Sequence, residues 1–478
     1  MKRAGFLLAA AAFAFWTAAL LGQARPRVSR PRPPRQVGPR PALPSQAVTF
    51  NKQIARILQA SCQKCHHEGD IAPFPLMTYQ DAFDHRFAMA DQTGRRLMPP
   101  WHVDSSCGGF EDDPSLSGED IRAIGEWVAS GAPEGDPRDL PPPLTFTPGW
   151  SLGPPDQVLA MEESFTPSFT QGDVYRCFVM PTGLTADRFV AAVEVAPGGR
   201  AMVHHVLLFV DSADTAERLD RADPGPGYTC FGGPGFTPTS ALGGWAPGNR
   251  PRLLPEGVGM HLPKDSRVVM QVHYSARSGV LEPDRTLIGL HFSKAPVQKR
   301  LLAVPVLNYN FLIPAGAKDH EVRASIPYIP FDAHALAVTP HMHLLGKRMN
   351  LTATLPDGRQ VCLVNVPDWD FHWQGTYFYR SQVPLPVGTR VDLSAWYDNS
   401  SENPQNPSRP PRNVTWGEAT TDEMCLAFLS FTLDAENLTG AAGLAATGLA
   451  TFSPFWEEGW LPGPSGDSRP LPGSPRPR

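Results

Sequence analysis

The chain has 478 residues, 41% of them hydrophobic, a length that suits about three domains with sizeable cores. Its formal net charge of −5 gives no reason to expect nucleic-acid binding. The 53 prolines are about twice the usual share, and much of the excess lies in the two tails and in turns.

The N-terminus predicts an export signal. A basic start, MKR, precedes an apolar stretch at residues 4–21, and a small-x-small cleavage site, GQA, follows it. Residues 1–24 are therefore expected to be a signal peptide, although an apolar stretch of this length also suits an uncleaved membrane anchor. We expect a periplasmic or secreted protein, or a membrane-tethered one if the segment is retained.

Two segments have compositions that cannot bury a core. Residues 25–47 are rich in proline and arginine and predict an extended Pro/Arg-rich linker. Residues 456–478 are rich in proline, glycine and serine and predict a disordered tail.

Residues 48–138 predict a small all-α domain. The run FNKQIARILQASC forms one apolar helical face: Ile54, Ile57 and Leu58. A later helix is expected to begin after Ser117, because Asp120 three residues on completes a capping box, and to end at Gly131.

The segment SCQKCHH follows the first of these helices and contains Cys62-x-x-Cys65-His66. Two thiols at this spacing can form thioether bonds to the vinyl groups of a haem, and the adjacent histidine can then ligate the iron. The motif predicts one covalently bound haem c. A redox-active or zinc-binding CxxC is the alternative.

Met98, in RRLMPPW, is the expected second axial ligand, with Met77, Met89 and His102 as rivals. The segment resembles small bacterial c-type cytochrome domains. In these, CxxCH is followed by a Met-Pro-Pro loop and by a closing helix that ends in W-x-x-x-GAPxGD, as in the stretch 127–136 here. The resemblance implies a cytochrome c-like domain at 48–138.

From about residue 150 to 455 the pattern of apolar and turn-forming residues differs from that of the preceding segment. Short apolar runs such as RFVAAVEV, MVHHVLLFV and HALAVTP alternate with Pro, Gly, Asn and Asp. Many short strands at regular spacing predict antiparallel β-sandwiches. The length suits two of them, at 150–300 and 301–455, with the seam near KAPVQKRLLAVP.

Seven cysteines are present, and export would place them in an oxidising space where disulfides persist. Cys62 and Cys65 are assigned to the haem motif, which leaves an odd number. Spacing alone does not fix connectivity, and we expect Cys177–Cys230 and Cys362–Cys425 as disulfide bonds.

Five histidines and a methionine in the β-rich region form two groups. His341 and His343 are two residues apart, so on a strand both side chains leave the same face and form a chelate that Met424 could complete. His204 and His205 are adjacent, so both reach one metal only if the strand bulges or ends there. Taken by itself, His273 is expected to be a hydrogen-bonded core residue rather than a metal ligand.

The residue types in these groups favour copper. Imidazoles plus one thioether form a soft-to-borderline set, and a thioether is a poor ligand for zinc or for a hard cation. Two unlike sites in one chain indicate redox chemistry rather than hydrolysis. We therefore predict two copper ions.

The ordered motifs HHVLLF, GGWAPG, QVHYSA, PHMHLLGK, WYDNSSENP and DEMC resemble those of the type II copper, ascorbate-dependent monooxygenases, the family of peptidylglycine α-hydroxylating and dopamine β-monooxygenases. The resemblance implies two jelly-roll sandwiches that face a solvent-filled cleft. It assigns an electron-transfer copper to one group and the dioxygen-binding, catalytic copper to the other: His204, His205 and His273, and then His341, His343 and Met424. Gln271 also matches the family.

The resemblance has departures that bear on the substrate. The peptide-amidating enzymes have an arginine two residues before the H-x-H pair, where this chain has Thr339. Their asparagine and tyrosine after the ligand methionine fall at Leu426 and Phe428, so the pocket is expected to be more apolar. The family often has a cysteine at Ala395 that bonds the one after the methionine, so Cys425 must be free or have another partner.

The segment VPDWDFHWQ carries a polar aromatic cluster that we interpret as structural or as support for the ligands: Asp368, Trp369, Asp370 and His372. Together the motifs predict an exported copper-dependent monooxygenase that hydroxylates a C–H bond with O2. Its partners would be a small-molecule substrate and an electron donor, either ascorbate or a periplasmic or membrane redox protein, with electrons supplied at least partly by its own haem domain. The alternative is a non-catalytic periplasmic copper-binding or electron-transfer protein.

Overall fold

The computed structural model describes residues 47–146, 149–170, 172–275 and 279–439. The predicted signal peptide, almost all of the Pro/Arg-rich linker and the predicted tail lie outside these ranges. None of the helices within them combines the length and the apolar character that a bilayer span requires.

Residues 47–146, which we call the helical segment, have helices as their regular elements. They form three α-helices: α1 Ala55–Ser61, α2 Tyr79–Gly94 and α3 Gly118–Ala129. A π-helical turn, Phe50–Ile54, leads into α1. Helix α3 begins as predicted, because Ser117 and Asp120 form the reciprocal capping box, and it buries Ile124 and Trp127 completely.

The next part of the chain forms two five-stranded sheets, which we call the N-sandwich, and one helix, α4 Thr215–Ala222. Its strands are β1 Gln157–Ala160, β2 Val174–Pro181, β3 Arg188–Ala196, β4 Val203–Asp211, β5 Tyr228–Thr229, β6 Ser240–Trp245, β7 Val258–Leu262, β8 Arg267–Tyr274, β9 Leu287–Phe292 and β10 Lys299–Arg300. The strand orders are β5-β2-β8-β4-β6 and β1-β9-β3-β7-β10. Apolar residues from both sheets share one core, because alternate residues of each strand point inward.

The rest forms the C-sandwich, with two four-stranded sheets and one two-stranded sheet. Its strands are β11 Leu302–Asn308, β12 Leu312–Ile313, β13 His320–Ile326, β14 Ala333–His341, β15 Gly346–Thr354, β16 Gln360–Val366, β17 Tyr377–Leu385, β18 Arg390–Tyr397, β19 Val414–Thr415 and β20 Cys425–Leu433. The orders are β11-β20-β14-β17, β13-β18-β15-β16 and β12-β19. Among the described strands every pairing is antiparallel except β10 with β7, so the mostly β, antiparallel architecture agrees with the sandwich prediction.

A loop between α2 and α3 packs directly against the C-sandwich. Val103 and Phe110 from this loop are buried in the C-sandwich core. Phe110 forms a β-bridge with Tyr379, and the Arg380 guanidinium donates to the Phe110 carbonyl at 2.9 Å. The helical segment is thus joined to the β-rich part by a buried interface as well as by the chain.

A disulfide bond reinforces this interface. Cys107 of the loop is bonded to Cys362 of β16, so the expected Cys362–Cys425 pairing is wrong. The physical reason is placement: β16 is the edge strand that faces the loop, whereas Cys425 is fully buried at the start of a central strand of the other sheet and remains a thiol. The predicted Cys177–Cys230 bond is present.

Candidate functional site

The first group of histidines lies on two neighbouring strands of the N-sandwich. His204 and His205 are on β4, and His273 is the cross-strand neighbour of His205 on β8. The register shifts between Val203 and His205, which is the irregularity that two adjacent histidines need in order to face one point. One nitrogen of each of the three rings lies within 4.8 Å of the others.

The bend that precedes β4 is fixed by a buried carboxylate. Asp284 is fully buried, and its Oδ1 accepts from the backbone N–H groups of Gly198 and Gly199 at 2.9 and 2.8 Å. Its Oδ2 accepts from the Tyr274 hydroxyl at 2.7 Å. Because these contacts hold the turn against β8, they set where β4 begins and hence where its two histidines point.

One nitrogen in this group has no hydrogen-bond partner. His273 Nε2 donates to Asp173 Oδ2 at 3.0 Å, which makes Nδ1 the atom with a free lone pair, and that atom is buried without a partner. The Nδ1 atoms of His204 and His205 lie 3.3 Å apart. Burial lowers the pKa of His204 to about 3 and that of His205 well below its usual value, with His273 adding to both effects, so these rings stay neutral.

The second group lies at the ends of two adjacent strands of the C-sandwich. His341 ends β14, His343 follows it, and their ring centroids are 5.2 Å apart. His341 Nδ1 donates to Gln374 Oε1 at 2.6 Å and His343 Nδ1 donates to the Asp422 carbonyl at 3.2 Å, so both Nε2 atoms carry the free lone pairs. Burial lowers the pKa of His341 to about 4 and that of His343 well below its usual value.

A buried glutamate organises the backbone around this second group. Glu423 is fully buried, and its carboxylate accepts from the backbone N–H groups of His343, Leu345 and Met424 at 2.9, 2.6 and 3.1 Å. Burial raises its pKa to about 8 although these bonds act in the opposite direction. Glu423 therefore ties the loop that carries His343 to the start of β20, where Met424 lies.

The two groups are separated by one aromatic ring. Phe371 stacks on His204 with ring centroids 4.6 Å apart, and its ring lies 6.0 Å from that of His343 in an edge-on arrangement. Asp173 also spans the sandwiches, because its Oδ2 accepts from Thr420 Oγ1 at 2.6 Å as well as from His273. The two groups therefore face each other across a gap that a phenyl ring occupies in part.

A cavity of about 3100 Å³ connects this gap with the helical segment. From the two groups, its lining includes His205, His341, His343 and Met424. It also includes the predicted haem-binding residues Cys62, Cys65, His66 and Met98, together with the rival ligand Met89. His66 Nδ1 donates to the Phe74 carbonyl at 3.0 Å, which leaves Nε2 as the available nitrogen.

A loop after β6 reaches from the N-sandwich to the CxxCH motif. Arg250 Nη2 lies 3.6 Å from Cys65 Sγ and 3.2 Å from Asp70 Oδ2. The same loop presses on Trp373 at Gly248, where φ is +88° and an added Cβ would come within 2.8 Å of the indole. Trp373 precedes Gln374, which is hydrogen-bonded to His341. One loop therefore contacts the surroundings of both the predicted haem site and the predicted copper site.

Several residues that support the candidate ligands were not singled out in the sequence: Asp173, Phe371, Gln374, Asp422 and Glu423. Four of them stand in quoted motifs: Asp422 and Glu423 open DEMC, and Phe371 and Gln374 lie within VPDWDFHWQ. The cluster within the latter motif does support the ligands, because Trp369 Nε1 donates to the His343 carbonyl at 3.2 Å. His102, a rival for the iron, lies instead near the carboxylates of Asp368 and Asp370.

Comparison with protein families gives one match. Residues 303–440 match the model of the copper type II ascorbate-dependent monooxygenase, C-terminal domain. The matched range contains His341, His343 and Met424, and with them the whole second group. The match supports a copper monooxygenase-like function of the oxidoreductase kind for this chain.

Three viral structures show slight likenesses to this chain. The major capsid protein P2 of bacteriophage PM2 is 9% identical, with 58% of this chain and 97% of that chain covered and a TM-score of 0.25. The VP2 subviral particle of infectious bursal disease virus is 8% identical, with 58% and 80% covered and a TM-score of 0.16. The Sputnik virophage structure is 9% identical, with 62% and 89% covered and a TM-score of 0.18. We draw nothing about function from these likenesses.

Proposed function

We propose that the chain is an exported copper-dependent monooxygenase that uses O2 to hydroxylate a C–H bond of a small molecule. The observation that carries the proposal is the convergence of three histidines in the first group, with a buried, unpartnered Nδ1 on His273, beside a cavity that His205 and the whole second group line. The reaction balances with two electrons and two protons: one oxygen atom enters the C–H bond and the other leaves as water. Ascorbate, or a periplasmic or membrane redox protein, would supply the electrons.

The residues fit copper at both groups. In the first, three imidazoles converge, and Asp173 orients His273 by accepting from its Nε2. In the second, His341 and His343 would bind through Nε2, with the Met424 thioether as the soft ligand. Bound copper supplies one-electron redox chemistry and dioxygen activation. The protein would orient these ligands and limit access of water to the gap.

The residues also fit a covalent haem. Cys62 and Cys65 are thiols at the spacing of the attachment motif, and the backbone bond from His66 N–H to the Cys62 carbonyl keeps the motif in a compact turn. His66 and Met98 would ligate the iron, and the rival Met89 lines the same cavity. A haem here supplies one-electron transfer. The loop that carries Arg250 would cover the motif from the N-sandwich side.

An oxidising location follows from the same proposal. The Cys177–Cys230 and Cys107–Cys362 bonds support a periplasmic or secreted protein, because disulfides persist in such compartments. The signal segment at residues 1–24 would direct the export.

Labelled dioxygen tests the proposed reaction against the non-catalytic alternative. The copper-loaded full chain is incubated with ascorbate, ¹⁸O2 and phenylacetamide, whose benzylic C–H bonds are weak. We expect one ¹⁸O atom in the hydroxylated product. If the chain binds two coppers but no label enters any product, a copper-binding or electron-transfer role is the better explanation.

Copper content tests the assignment of the first group. The wild-type chain should bind about two copper ions, and His273→Ala about one, because the first site then loses one of its three imidazoles. Elemental analysis after dialysis measures the ratio. His261→Ala is the matched control, since this histidine lies on the same sandwich and pairs with Asp187. Two coppers in His273→Ala would contradict the assignment.

The haem potential tests the role of Arg250. Arg250→Gln should lower the midpoint potential, because the loss of a positive charge beside Cys65 favours the oxidised, more positive iron. A spectroelectrochemical titration of the haem absorbance measures the shift. Arg138→Gln, an exposed pair with Asp136 in the same segment, is the control and should leave the potential unchanged. An unchanged or higher potential in Arg250→Gln would argue against contact between this loop and the haem.

A further inference from the structure

One wall of the cavity is the outer face of the sheet that carries the second group. Met424, Leu426 and Phe428 line the cavity at the start of β20. The residues that alternate with them belong to the C-sandwich core: Cys425, Ala427 and Leu429. This alternation follows from the strand geometry, so the apolar pair at 426 and 428 continues directly from the Met424 thioether.

Neighbouring strands extend this apolar surface on both sides. Leu426 lies between Leu307 of β11 and His341 of β14. Phe428 is flanked in the same way by Pro305 and Thr339, and all of these residues line the cavity. Beside His341, the surface therefore consists of two rows of side chains that are mostly apolar.

Aromatic side chains remain exposed within the cavity. Phe428 is 37% exposed, Tyr309 42% and Tyr328 56%, and all three line it. Exposed aromatic side chains in a concave surface are typical of small-molecule sites, where they offer large apolar area at low conformational cost. The cavity thus retains apolar area that a ligand could bury.

Two neutral hydroxyls lie together at this wall. Thr339 Oγ1 and Thr376 Oγ1 lie 2.8 Å apart and share one hydrogen bond. Since only one hydroxyl proton is used between them, the pair keeps one further donor and several lone pairs. It can therefore bind a hydroxyl, carbonyl or amide group next to the apolar rows.

The guanidinium groups that line the cavity already have carboxylate partners. Arg250 pairs with Asp70, and Arg300 pairs with Glu436 at 2.6 Å. Arg252 pairs with both Glu111 and Asp112. A substrate carboxylate would therefore lose its water against an apolar wall without gaining a free guanidinium partner, which is costly.

We propose that this wall binds an uncharged aromatic compound, with its ring on Leu426 and Phe428 and a neutral polar substituent on the Thr339–Thr376 pair. The inference rests on the proposed function, because it names the substrate class of the same site. It places the bound ring beside His341 and Met424, where the hydroxylation would take place.

Calorimetry with two probes of equal shape tests the proposal on the full chain, with and without copper. Phenylacetamide is neutral and phenylacetate is charged. We expect phenylacetamide to bind about tenfold tighter or more, because only the charged probe must bury an unpaired carboxylate. Phe428→Ala should weaken phenylacetamide about tenfold, and Phe87→Ala, an exposed aromatic on α2, should leave it unchanged.

A charge introduced at the hydroxyl pair gives the opposite test. Thr339→Arg should shift the preference toward phenylacetate, because it supplies the missing guanidinium. Equal or tighter binding of phenylacetate to the wild-type chain, or no saturable binding of either probe, would overturn the substrate class. If Thr339→Arg does not fold, the preference of the wild-type chain between the two probes decides the charge, and Phe428→Ala decides the ring contact. Probe binding is also measured on the chain without copper. A chain that takes up no copper would refute the oxygenase proposal, but it could still bind phenylacetamide more tightly than phenylacetate.

Discussion

Replacement of Glu423 by alanine is expected to lower the free energy of unfolding by about 4 kcal/mol, since buried backbone donors lose their acceptor. The three donors are the N–H groups of His343, Leu345 and Met424. Because two of these residues belong to the second group, copper should be lost from that site as well. Guanidinium denaturation and elemental analysis measure the two effects.

Two further variants define what the carboxylate contributes. Glu423→Gln keeps one oxygen as an acceptor and should cost less, roughly 1–2 kcal/mol. Glu418→Ala is the positional control: burial raises the pKa of this nearby carboxyl group to about 7, with Asp422 adding to the effect, and its removal should be close to neutral. If Glu423→Ala is as stable as the wild-type chain, the carboxylate does not hold the loop.

Loss of the Cys107–Cys362 bond should have the second large effect. The bond closes a sequence separation of 255 residues, so the chain-entropy account predicts about 5 kcal/mol of lost stability. The double variant Cys107→Ser/Cys362→Ser avoids an unpaired thiol. We expect a lower unfolding midpoint under non-reducing conditions and faster proteolysis of the connection between the helical segment and the N-sandwich.

The second disulfide is the matched control for this experiment. Cys177→Ser/Cys230→Ser opens a separation of only 53 residues and should cost about 4 kcal/mol by the same account. Both of its cysteines lie within the N-sandwich, so the helical segment should stay protected from protease. Equal protection in the Cys107→Ser/Cys362→Ser variant would mean that Val103 and Phe110 hold the interface without the covalent bond.

Helices and strands could be predicted from the sequence because the residue patterns that determine them are local. The apolar runs at 188–195, 202–210 and 334–340 coincide with β3, β4 and β14, and the capping box at Ser117 begins α3. The β4 irregularity at His205 could also be anticipated, since adjacent side chains on a regular strand face opposite ways. In each case the residues that determine the local structure lie within a short stretch of sequence.

The contacts between elements that are distant in the sequence could not be predicted from local patterns. The Cys107–Cys362 bond depends on which edge strand faces the helical segment, and no spacing of cysteines encodes that. The Glu423 carboxylate meets the His343 backbone across 80 residues, and Gln374 meets His341 across 33. A single polar residue in a loop has no periodicity, so its role emerges only when the sheets are packed together.

The position of Cys107 also has a consequence for assembly during synthesis. Its partner is made 255 residues later, after the whole N-sandwich and the first half of the C-sandwich. The helical segment therefore cannot be locked in place as it leaves the ribosome. Its final attachment must wait until β16 exists, and a chain cut short before that strand would carry Cys107 as a reactive thiol.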